Sequence, residues 1–231
     1  MLALVNAPSL MRLSAMTMSA TMPVAAPRWL PQDPTLGVPS CTPLVQHELL
    51  KAVREQAPYV YSHANRELGL TLERTQALVE QRIQVVSAAR ALKLARLVAA
   101  EPNGRAIFGA TGHTLYDTLH AEMSRSLKGA MRALPRGMRK RMAFTMARYM
   151  AYKFAGSTNH LILEPHAHGA YLTLRNGIFA DRLETLGGAH AYYRNVFETM
   201  LREFAHLDCE VVEVRRPRVH PNQCNFKIVW D

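Results

Sequence analysis

The feature that most constrains this chain is a change of hydrophobic period near residue 155. Before it, apolar residues recur at three- and four-residue intervals, which places them on one face of a helix. After it, they fall in short alternating or β-branched runs, the pattern of strands. From Pro43 the helical stripe is Leu44, Val45, Leu49, Leu50 and Val53, and Pro58 is expected to close that element. A longer periodic run spans Leu72 to Ala100 and stops at Glu101-Pro102-Asn103-Gly104. A third runs from Ala106 or Thr114 to Leu134, and a fourth from Met138 to Phe154. Strands are expected at Asn159 to Glu164, Gly169 to Arg175, Cys209 to Arg216 and Cys224 to Trp230. One helix, Ala189 to His206, falls between the second and third strands. The expectation is an α+β fold, with N-terminal helices packed on a small antiparallel sheet.

Residues 1–40 have a different texture. They hold Met1, Met11, Met16, Met18 and Met22, and no acid precedes Asp33. This stretch reads as a flexible tail or a start placed too far upstream, and 43–231 as a single ligand-binding domain. No run of about 18 apolar residues suggests a membrane-spanning helix. The three cysteines, Cys41, Cys209 and Cys224, are too few and too scattered for a disulfide scaffold, so a reduced cytoplasmic protein is expected. Ladder register puts Cys209 near Trp230, several residues along from Cys224 and out of bonding reach.

Charge is unevenly placed. The formal net charge is +10, and no acid lies between Glu122 and Glu164. That interval holds nine cations: Arg125, Lys128, Arg132, Arg136, Arg139, Lys140, Arg141, Arg148 and Lys153. Arg139, Lys140 and Arg141 are the expected docking face, for an acidic partner enzyme or, as a peripheral contact, an anionic membrane. Zinc-finger spacing and RNA-binding aromatic motifs are missing, so nucleic acid is not an expected partner. Met138, Met142, Met146, Tyr149 and Met150 read as one helix face, extended by Phe154, which is either core or the wall of an adaptable apolar pocket. His113 and His120 are seven residues apart, so both fit one helix face, and a neutral imidazole there suits a tetrapyrrole metal. The sequence shows no HExxH, P-loop, GxGxxG or GxSxG motif. Redox chemistry therefore has no recognisable cofactor site in this sequence.

A further set of residues runs Ala151-Tyr152-Lys153-Phe154-Ala155-Gly156-Ser157, Leu172-Thr173-Leu174-Arg175-Asn176, Tyr193-x-x-Val196-Phe197-Glu198 and Cys224-Asn225-Phe226-Lys227-Ile228. Over about Leu127 to Trp230 this resembles the 4-vinyl reductase domain of bacteriochlorophyll synthesis. The strands and closing tryptophan also resemble an uncharacterised family common in myxobacteria. The first resemblance implies a small-molecule-binding α+β domain that carries a tetrapyrrole. Its alternatives are a vinyl reductase acting on a chlorophyll precursor and a docking module without a ligand. Arg148, Tyr149 and Phe154 would then line the pocket, with His113 or His120 as axial ligand. Sensory relatives of that fold bind zinc. Their ligand positions fall here on His190, Glu213, Arg216 and Cys224, a set that Arg216 spoils unless His220 replaces it, so the site reads as vestigial. A homodimer is the remaining partner expectation.

Overall fold

A computed structural model of the chain describes residues 40–231 apart from 84, 156–159, 167, 176–177, 180–187, 189, 215–222 and 231. The stretch read as a tail, Arg216 and His220 lie outside the described residues, as does the side chain of Phe154. A two-residue strand β1 (Ser40–Cys41) leads into α1 (Pro43–Gln56), α2 (Pro58–Leu68) and α3 (Leu72–Glu80). Then come β2 (Val86–Ser87), α4 (Ala89–Ala99), α5 (Gly104–Glu122), α6 (Arg125–Ala133) and α7 (Arg136–Ala155). The hairpin β3 (His160–His166) and β4 (Gly169–Arg175) precedes α8 (His190–Thr199), which continues as a π-helical turn, Met200–Phe204. The strands β5 (Cys209–Glu213) and β6 (Gln223–Trp230) complete a four-stranded antiparallel sheet of order β3-β4-β6-β5. The α+β architecture expected from the period change is the one observed. No helix among the described residues is long and apolar enough to cross a membrane.

Three boundaries differ from the sequence expectation, each for a local reason. Pro58 opens α2 instead of only closing α1, because proline lacks the N–H that a first helical position leaves unbonded anyway. The run from Leu72 to Ala100 is two helices. Between them Arg82 takes a positive φ of 55°, and β2 pairs with β1 through Ser40 opposite Ser87 and Cys41 opposite Val86. The third helical region divides at Ser124, whose hydroxyl accepts from the Leu127 N–H at 3.3 Å and caps α6.

Strand register sorts the sheet faces. Leu172 pairs with Leu163 and Phe226, Leu174 with Leu161 and Cys224, and Ile228 with Ala170 and Val211. Ala170, Leu172, Leu174, Val211, Cys224, Phe226 and Ile228 are all buried. The three cysteines form no disulfide, and Cys209 stands opposite Trp230.

Helix α5 is the hub. It packs on α1 and, more extensively, on α8. Glycine makes the α5–α8 approach close: a Cβ at Gly112 would strike the Tyr192 carbonyl, and one at Gly109 would lie 2.8 Å from the Asn195 amide nitrogen. Aromatic side chains fill the space around the crossing. Phe108, Tyr116, Phe179, Tyr192, Tyr193 and Phe197 are all but inaccessible.

Candidate functional site

Two regions of this architecture have chemistry to offer. The first is a cleft of about 480 Å³ where the start of α5 meets α8, lined by Asn103, Arg105, Gly109, Ala191, Arg194 and Asn195 among others. The Asn195 amide donates to the Gly109 carbonyl at 3.0 Å and fixes that wall. Arg194 is held by Glu198 at 3.3 Å. Its lining includes no thiol, imidazole or carboxylate. Guanidinium and amide groups suit a small anion better than a flat apolar ring.

The second region is the corner where the end of α5 meets α6 and the π-helical turn. Here the ring of His120 stacks on Tyr116, centroids 5.3 Å apart and planes 13° apart. No hydrogen bond reaches either His120 ring nitrogen from the described residues. Burial, first, and the nearby Lys128 and Arg132 hold its pKa below the ordinary histidine value, against Glu203 and Asp117. The ring is therefore a neutral imidazole at neutral pH, the form that ligates metals. The Tyr116 hydroxyl is buried without a hydrogen-bond partner, and burial pushes its pKa up beyond the ordinary range. Leu119, Met123 and Leu127 are partly buried against the core, and Met131 is fully buried.

The residues singled out from sequence do not share one place. His113 lies on the same helix as His120 but is exposed. Its ring nitrogens lie 3.6 Å from Asp117 and 3.3 Å from the Thr199 hydroxyl. Arg148 and Tyr149 lie on the outward side of α7, and Phe154 is in its last turn. The Met stripe is split between two faces: Met150 is buried, whereas Met138 and Met142 are exposed. Of the expected docking face, Arg139 donates to the His206 carbonyl at 3.0 Å, and Lys140 sits 4.3 Å above the Trp230 ring. Arg141 alone of the three is fully outward. His190 is bonded to Glu213 at 3.1 Å, and among the described residues no three His, Cys, Asp or Glu side chains form a metal-holding group. Zinc is not supported.

His47 was passed over in the sequence and has a physical consequence. It is part-buried on α1, 3.1 Å from the Thr75 hydroxyl, and burial, the largest cause, lowers its pKa. The unfolded chain then binds more protons near pH 6.5, so stability is complete above that pH and falls as pH drops through it. Thermal unfolding between about pH 8 and about pH 5 is expected to show this fall, and His47→Gln to lessen it. An identical pH profile in the variant would refute the assignment.

No family profile and no curated protein matches the chain. Solved structures do match, across most of its length. An Fe(II) unliganded H-NOX protein mutant from K. algicida shares the fold at a TM-score of 0.54 and 12% identity, over 82% of this chain and 96% of that one. An H-NOX structure from work probing heme distortion in that family gives 0.53 and 13%, over 81% and 93%. A Cs H-NOX mutant carrying 4-cyano-L-phenylalanine gives 0.52 and 13%, over 82% and 96%. At these identities the likeness establishes the fold. It also overturns the resemblance to the 4-vinyl reductase domain, and the bacteriochlorophyll link and reductase activity lose their support with it. That resemblance covered only about Leu127 to Trp230, whereas the H-NOX match spans 82% of the chain. The second resemblance finds no matching profile either.

Proposed function

We propose that this H-NOX-type fold serves here as a binding module, and that its ligand class is a tetrapyrrole held at the α5–α6 corner. The observation that supports it most is the whole-domain likeness to proteins whose descriptions name heme and Fe(II). A tetrapyrrole asks for an axial donor, an apolar surface for the ring and cations for its propionates. His120 offers the donor, neutral and without a hydrogen bond to its ring among the described residues. Leu127, only partly buried on α6, offers apolar surface. Lys128 and Arg132, close enough to depress the His120 pKa, offer the cations. When bound, the group supplies a metal centre and a visible chromophore.

The packing sets the character of such a site. Aromatic side chains already occupy the space between α5, α8 and the sheet, so a ring at this corner lies at the margin of the fold. A marginal site releases its ligand more readily than an enclosed one, which suits carriage or sensing of the tetrapyrrole itself.

Titration of the full chain with hemin and with metal-free protoporphyrin tests the reading. Saturable binding with a shifted Soret band is expected for hemin. In His120→Ala that shift is expected to disappear while protoporphyrin still binds, because only the metal needs the imidazole. In the Lys128→Glu, Arg132→Glu double variant both ligands are expected to weaken about tenfold. Absence of saturable binding by either ligand would remove the proposal and leave a protein-docking module, for which the outward face of α7 speaks independently.

A further inference from the structure

Helix α7 is apolar on two opposite sides. Its inward side buries Ala143, Ala147, Met150 and Ala151 against the core. At about 100° per residue, Met138, Met142, Thr145 and Tyr149 fall on the other side of the helix. Met138 is 53% exposed, Met142 37% and Tyr149 49%, and Thr145 is exposed as well.

The spacing of these four is four, three and four residues. That is the alternation of the two seam positions in a coiled coil, with Met138 and Thr145 at d and Met142 and Tyr149 at a. In this register the g positions, which flank the seam, are Arg141 and Arg148. Both are exposed. We infer that the outward face of α7 is a docking seam for an acidic amphipathic helix of another protein, with apolar residues against Met138, Met142 and Tyr149 and carboxylates against Arg141 and Arg148.

Charge and width select this occupant over the others. A second copy of the chain brings no acid anywhere between residues 123 and 163, so in either orientation it meets Arg141 and Arg148 with like charge or none. Residues 1–39 contain a single acid, Asp33, beside Arg12 and Arg28, and do not complement the face either. A membrane surface takes a wide apolar face with cations on the opposite side. Here the stripe is one side chain wide, Thr145 interrupts it, and its exposed arginines flank it on one edge, Arg139 on the other edge being bonded to the His206 carbonyl. That narrowness is the mark of a helix–helix seam. The seam stands apart from the tetrapyrrole reading, since His120 and its neighbours lie on α5 and α6.

The test uses the full chain and a labelled synthetic helix of about three heptads, with Leu at a and d and Glu at e and g. A control peptide carries Lys in place of Glu. Anisotropy is expected to show saturable binding of the Glu peptide and none of the Lys peptide. Met142→Glu is expected to weaken the Glu peptide about tenfold or more without lowering Tm, because the position is exposed. The Arg141→Glu, Arg148→Glu double variant is expected to exchange preference, losing the Glu peptide and gaining the Lys peptide. Equal binding of the two peptides, no binding, or binding indifferent to Met142→Glu would overturn the inference. So would Met142-dependent sedimentation with phosphatidylserine vesicles in the absence of peptide binding, which would make the face a membrane contact. A Met142-dependent dimer in sedimentation would assign the face to a second copy and overturn it too.

Discussion

Phe179→Ala is expected to lower stability by about 3–5 kcal/mol, the cost of removing a fully buried phenyl ring. For a chain of this length that corresponds to a fall in Tm of roughly 6–20 °C. Phe179 has no exposed surface and sits among three other rings. Its centroid is 5.6 Å from Phe108 on α5 and 5.0 Å from Tyr192 and 6.3 Å from Tyr193 on α8. Its backbone N–H donates to the Tyr193 hydroxyl at 3.1 Å, so one residue joins the connection after β4 to both central helices. Phe179→Leu, which keeps much of the volume, is expected to cost about half as much or less. Thermal or denaturant unfolding measures both. A loss below about 1 kcal/mol for Phe179→Ala would mean that this aromatic cluster does not hold α5 and α8 together.

The second large effect is expected at the helix crossing. Gly112→Val is expected to cost about 3 kcal/mol, at the upper end of overpacking. The added Cβ meets the Tyr192 carbonyl, which belongs to the α8 backbone and cannot rotate away as a side chain end can. Gly129→Ala supplies the contrast. Gly129 lies on α6 with nothing within 4 Å of an added Cβ. That substitution is expected to gain about 0.5–1 kcal/mol, because alanine loses less backbone entropy in a helix. Opposite signs at the two glycines, read by chemical denaturation, are the expected result. A neutral Gly112→Val would show that α5 and α8 are not in backbone contact at this point.

Both effects arise at residues with no mark in the sequence. Phe179 falls in a stretch between a strand and a helix that shows neither period. Gly112 lies within a helical run, where a glycine is as readily a weak spot as a contact. Of the candidate site, His120 was legible as a histidine in phase with His113, seven residues away. The sequence did not distinguish them, because helical phase says which residues share a face and nothing about what packs on it. In the fold His113 reaches Asp117 in solvent, while His120 is partly buried and stacks on Tyr116.

The acid-free cationic interval was equally plain in the sequence, yet its members have separate tasks. Arg139 and Lys140 are spent on the His206 carbonyl and the Trp230 ring. Only the tertiary arrangement shows that Arg141 and Arg148 remain outward.

The sequence by itself determined the order and type of most elements, an antiparallel ladder with Cys209 near Trp230, and the placement of charge along the chain. These depend on period, turn residues and composition, all properties of neighbours in sequence. The tertiary structure decided which side of α7 is core. Its methionines occur on two faces, and local period gives an apolar residue no direction when both faces are apolar. Contact with β3 and the π-helical turn on one side draws Ala143, Ala147 and Met150 inward and leaves Met138 and Met142 outside. It also decided the likeness to H-NOX, because a fold shared at 12–13% identity resides in how the helices cross the sheet rather than in residues that a motif could display.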